Sequence, residues 1–157
     1  MAYPAGSPVK ERVLEHVKTT LAAIASPAYF TDVVAVKRQT SENPYVALDQ
    51  AEFPAVLISV PTTSYDDGVN GILSASTNVS LRLVVQAREG VSSNIEQFIS
   101  DVKAALLADW TRGGLALDTK IVGDEVLVPE EVTGYAVADV SLTLRWRHLY
   151  SDPNTAA

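Results

Sequence analysis

A chain of 157 residues, 47% of them apolar, is long enough to build one core and too apolar for wholesale disorder. It contains no cysteine, which excludes disulfides, thiol nucleophiles and sulfur ligands for a metal. Its net charge of −7 argues against a general nucleic-acid binder, because such proteins need clustered Lys and Arg to displace counterions.

Residues 1–8 lack a basic region followed by an apolar core, so no signal peptide is expected, and no run approaches the ~18 apolar residues that span a bilayer. The expected setting is the cytoplasm until assembly, with no membrane partner. Ser7 can cap a helix with Pro8 at its first position. Val9, Val13, Val17, Leu21 and Ile24 then recur at helical spacing, predicting an amphipathic helix over 8–25 that Pro27 prevents from continuing.

Residues 32–39 read as a strand rich in β-branched side chains. The polar stretch 39–53 is long for a connection and predicts a functional or flexible arm. A second strand, 54–60, places Val56, Ile58 and Val60 on one face, and Pro61 ends it. An extended loop over about 61–76 follows. Within it Asp66-Asp67-Gly68-Val69-Asn70-Gly71 is rich in residues that accept left-handed backbone angles. A long strand, 74–88, alternates Val79, Leu81, Leu83 and Val85 with Ser80, Arg82 and Gln86. The two strands make an extended hairpin whose tip, near Tyr65 to Ile72, should project beyond the core.

Ser93-Asn94-Ile95-Glu96 has the form of a capping box, and Ile95, Phe98, Ile99, Val102, Leu106 and Trp110 make the stripe of a second helix that Gly113-Gly114 stops. Residues 120–128 predict a bent strand or a strand pair, broken near Gly123-Asp124. The last strand, 136–150, points Val140, Leu142, Leu144 and Trp146 inward and Asp139, Ser141, Thr143, Arg145 and Arg147 outward. The tail, 151–157, is polar and expected to fray.

Two single-stripe helices and a sheet with one apolar face predict an α+β fold. The economical form is a two-layer sandwich, with both amphipathic helices on one face of a mainly antiparallel sheet, as a single domain over 1–157.

Chemical signatures are missing from the sequence. His16 and His148 have no Gly-x-Ser-x-Gly elbow beside them and read as structural histidines. No His-Glu-x-x-His spacing occurs, and the acidic hairpin loop lacks the alternation and terminal Glu of a calcium loop. Neither phosphate-binding glycine pattern occurs, and Trp110 and Trp146 fall on apolar stripes as core aromatics. No enzyme activity, cofactor or metal is expected.

The order of elements, the strand Pro54-Ala55-Val56-Leu57-Ile58-Ser59-Val60, the helix from Ser93 to Leu106, and the closing run from Ala138 to Tyr150 followed by Ser151-Asp152-Pro153 are similar to tail terminator (tail completion) and minor tail subunits of long-tailed bacteriophages. The likeness covers about 8–153. It implies a structural subunit of the virion, in a homo-oligomeric, hexameric ring on the head-proximal end of the tail tube. One face would meet the tail tube protein and the other the head–tail connector (stopper) protein, with DNA passing through the lumen without specific binding. The residue pattern agrees with such a role, since rings need two different patches per copy. Candidate contact residues are Asp66, Asp67 and Asn70 at the hairpin tip, and Arg145 and Arg147 on the basic outer face of the last strand. The alternatives from the same residues are a neighbouring connector or head-completion protein and a small-molecule-binding α+β domain, the latter requiring a deep pocket with convergent polar groups.

Overall fold

The computed structural model describes residues 6–43, 47–66, 68–86, 91–128 and 135–157. Two long strands, β4 (Ile72–Gln86) and β6 (Tyr135–Leu149), organise the sheet, pairing antiparallel from Ile72↔Leu149 to Gln86↔Tyr135. Their period-two pattern buries Val79, Leu81, Leu83 and Val85 on one and Ala138, Val140, Leu142, Leu144 and Trp146 on the other, while Arg82, Ser141, Arg145 and Arg147 stay exposed.

Shorter strands flank this pair. β2 (Ala55–Ile58) joins β4 antiparallel, and β1 (Ala35–Arg38) lies parallel to β2, which makes the sheet mixed. On the same side of β4, β3 (Thr62–Asp66) pairs from Thr62↔Asn78 to Asp66↔Ser74. Beyond β6 lies β5 (Ala116–Val128), and β7 (Asp152–Ala156) pairs with the end of β6. Since His148 and Leu149 also pair with β4, β7 must lie on the β5 side. Among the described residues this gives seven strands, in the order β1-β2-β4-β6-β5 with β3 and β7 alongside.

The helices are α1 (Val9–Ala22) and α2 (Val91–Ala108). Val9, Val13, Val17 and Leu21 of α1, and Ile95, Phe98, Ile99, Val102 and Leu106 of α2, join the inward strand residues in one core. Each such side chain contributes about 1.5–3 kcal/mol by leaving water. The fold is α+β.

Several local expectations are corrected. Pro8 itself caps α1 in an extended conformation (φ −51, ψ 140), with no side-chain cap, so Ser7 lies outside the helix. Ile24 is buried although α1 ends at Ala22, because its carbonyl is held by the Val33 N–H at 2.9 Å. Past the end of β2 the Ser59 N–H still donates to the Ser80 carbonyl (2.9 Å), but the Ser80 N–H goes to the Ser59 hydroxyl (2.9 Å); the strand has ended at Ile58, and Val60 is exposed rather than sharing the face of Ile58. α2 begins at Val91, so Ser93 stands inside its first turn and does not precede it.

Three larger differences concern the loops. The 61–76 stretch is largely strand, since β3 pairs all along the first part of β4. The described parts of 39–53 are pinned down: Lys37 Nζ donates to the Ala47 carbonyl and to Glu52, and Gln50–Glu52 form a 3-10 turn. The tail is β7, held by the Arg12 guanidinium on the Asn154 carbonyl at 2.5 Å. The bend expected near Gly123 is present as a register shift between Ile121 and Gly123 in one continuous strand.

Candidate assembly surface

Directly paired residues of an antiparallel sheet share a face, so register decides which distant residues meet. Asp66, Ser74 and Arg147 form one row across β3, β4 and β6, and Ser64, Ser76 and Arg145 form the next. Register therefore brings Asp66, Arg145 and Arg147 to the outer face near one end of the sheet. Asn70 stands in the β3–β4 turn with φ 57, beside Gly71 with φ 77, as left-handed turn positions require. Asp67 lies outside the described residues.

The turn does not project alone. The Tyr150 N–H donates to the Gly71 carbonyl at 2.6 Å, and Ile72 N–H donates to the Val69 carbonyl at 3.3 Å, so the tip is tied to the end of β6. Gly68 is required there, because a side chain would overlap the Ile72 carbonyl. Around this end four large apolar side chains remain in water: Val69 is 75% exposed, Tyr150 72%, Tyr65 53% and Leu149 37%. The Tyr65 ring also meets buried Trp146 edge-on, with centroids 6.2 Å apart. Leu149 and Tyr150 are not among the contact candidates read from sequence; the signal is an apolar-aromatic pair at the very end of an alternating strand.

Charge is uneven along the outer face. At one end Arg82 grips Asp139 through two hydrogen bonds of 2.9 and 3.0 Å, which stabilise its charged form. At the other, among the described residues, Arg145 and Arg147 have no ion-pair partner. Between them lie neutral polar groups, including a Thr143–Asn78 hydrogen bond of 2.8 Å. Free arginines beside exposed aromatics are the composition that protein contacts favour.

The histidines are structural in geometry. His148 is buried, stacks near Trp146 with centroids 5.6 Å apart, and places Nδ1 2.5 Å from the Leu149 carbonyl. His16 lies between the Thr20 hydroxyl (3.4 Å) and the Asp109 carboxylate (3.5 Å). That order suits a nucleophile–base–acid relay, but both distances are long, and the Thr20 hydroxyl also accepts from Arg112. Neither the depression by Phe30 and Phe53 nor the one by Val60 and Val122 is lined by these residues.

Arg112 is fully buried at φ 52, donating to the carbonyls of Leu106 and Asp109 at the end of α2. The Asp109 carboxylate in turn accepts from Thr111 and Gly113, which lowers its pKa. Trp110, expected in the core, is 52% exposed in this turn, since α2 has already ended.

A cavity of about 270 Å³ lies among Phe30, Asp32, Phe53, Gln86, Asn94 and Gln97. It falls below the usual range of ligand pockets, and Asp32 Oδ1 is already engaged by Ser26 through its N–H (2.7 Å) and hydroxyl (3.0 Å). Among the described residues no cluster of three His, Cys, Asp or Glu could hold a metal, and no helix is long and apolar enough to cross a membrane.

No family model and no curated protein matches the chain. Among solved structures it is similar to a chain of the virion of a native gene transfer agent particle, with 13% identity, 82% of this chain and 90% of that chain covered, and a TM-score of 0.49.

Proposed function

We propose that the protein is a structural tail terminator subunit of a phage-like virion. It forms a ring, of six copies, that closes the head-proximal end of the tail tube and offers the interface for head–tail joining. Its partners are further copies of itself, the tail tube protein and the connector (stopper) protein, and DNA passes through the lumen without specific binding. It works by contact, needs no cofactor and catalyses no reaction. Both helices form one layer on the apolar sheet face, leaving the outer face and the hairpin end for neighbours.

The observation that carries this reading is the hairpin end itself. The last strand, whose sequence resembles the family's, delivers Arg147, Leu149 and Tyr150 to the turn that holds Val69 and Asn70, and these side chains stay in water, while Tyr65, on the opposite face at the same end, is half exposed against Trp146. Aromatic and arginine side chains are the residues that anchor protein contacts when desolvated. Arg145 and Asp66 border the same patch, and Asp67 belongs to the same loop by sequence.

Light scattering at micromolar concentration, with and without purified tail tubes, tests the proposal. The unaltered chain should form rings alone or on tubes. The Val69→Ser/Tyr150→Ala variant should keep its melting temperature and lose at least about tenfold in assembly or tube binding, as the loss of two contact anchors implies. A chain that stays monomeric and also ignores tail tubes overturns it.

A further inference from the structure

Among the described residues four strands bond to a single neighbour: β1 to β2, β3 to β4, β5 to β6 and β7 to β6. Proteins usually guard such edges with proline, charged side chains, bulges or a covering segment. β5 carries Lys120 and register shifts but no proline along its 13 residues, and Val122, Val126 and Leu127 are exposed on it. β3 is exposed at Thr62, Ser64, Tyr65 and Asp66.

We infer that neighbouring copies join by edge pairing, the outer edge of β3 in one copy against the outer edge of β5 in the next, so that the sheet continues from subunit to subunit. This rests on the ring reading above. Strand direction supports it. β5 runs with β4, since both are antiparallel to β6, whereas β3 runs against β4. Rotation about an axis along the strands preserves direction, so β3 and β5 of successive copies meet antiparallel. The two edges lie on opposite sides of the sheet, which is the heterologous arrangement that closes into rings instead of stopping at dimers.

Length and level agree as well. Register shifts after Ala116 and after Ile121 leave Asp118, Thr119, Lys120 and Ile121 as an unbroken run, close to the five residues of β3. Gly123 to Val126 is a second unbroken run beyond the Ile121 shift, and the level of β3 selects the first. Ser64, Ser76, Arg145 and Asp118 occupy one row across the subunit. A ring without axial offset therefore sets Ser64 of one copy against Asp118 of the next, and an offset of two residues sets it against Lys120.

The absence of native cysteine allows a direct test in the full chain. Ser64→Cys is combined in turn with Asp118→Cys and with Lys120→Cys, and each variant is oxidised after light scattering has recorded its assembly state. Paired β-carbons across two strands lie within disulfide reach. The expected result is a covalent ladder from two copies upward for one of the double variants, with the single variants remaining monomers on a denaturing gel. Oligomers that give no ladder with either pair overturn edge pairing alone. So does a covalent dimer from Ser64→Cys by itself, which would mean β3 meets β3. Absence of oligomers both with and without tail tubes overturns the ring reading and this inference together.

Discussion

His16 connects α1 to the turn after α2, and its protonation should be felt by the whole fold. Burial, followed by the nearby Arg112 guanidinium, lowers its pKa below the ordinary 6.5, and the Asp109 carboxylate opposes them only in part. Below about pH 6.5 the unfolded chain therefore binds more protons than the folded one, and stability falls as pH drops toward the folded pKa; above pH 6.5 this contribution is fully present. The depressed carboxylates Asp109 and Asp152 start from an ordinary value of 3.8, so their loss comes at lower pH. Urea midpoints at pH 7.5 and pH 5.0 should fall less for His16→Gln than for the unaltered chain. Equal falls would show that His16 is free of its neighbours. None of this environment was legible in the sequence, because Asp109 and Arg112 lie far from His16 along the chain and meet it only through α1–α2 packing.

At the scale of elements, the apolar stripe of α2 is the part of the fold with most at stake. Phe98 is fully buried, so Phe98→Ala should cost about 3–5 kcal/mol through the lost side chain and the cavity left behind. Asp66→Ala, at the exposed end of β3, should stay within about 0.5 kcal/mol. Chemical denaturation of both variants checks this, and equal stability would mean the stripe does not face the core. That stripe and the alternation of β6 were readable because each is a local period imposed by one buried face. β3 and β7 were not: Thr-Thr-Ser-Tyr-Asp and Asp-Pro-Asn-Thr-Ala carry no such period, and only backbone bonds to β4 and β6 make them strands. Pro153 is tolerable because β7 pairs on one side alone. Trp110 was misplaced for a related reason, since a helical period says nothing about where the helix ends. The candidate contact residues are picked singly from the sequence, but the row that sets Asp66 level with Arg147 needs the register of three strands.

For the whole molecule, net charge sets the sign of the salt response. Each copy carries −7, and the proposed ring would gather several copies close together, so like-charge repulsion opposes closure. The contacts proposed to oppose it are short-ranged: apolar side chains at the hairpin end and backbone pairing between β3 and β5. Arg145 and Arg147 could pair with acids of a neighbour, but two cations per copy are outweighed by the net charge. Screening shortens from about 30 Å at 0.01 M ionic strength to about 8 Å at 0.15 M, which removes repulsion across the ring before it touches contacts a few ångströms long. Ring formation should therefore strengthen as salt rises over this range, with the light-scattering midpoint moving to lower protein concentration. Interfaces built on arginine–carboxylate pairs would respond the opposite way, and Arg145→Gln/Arg147→Gln separates the two. In the apolar case that variant retains the rise with salt; in the ion-pair case it abolishes the salt dependence along with most of the assembly.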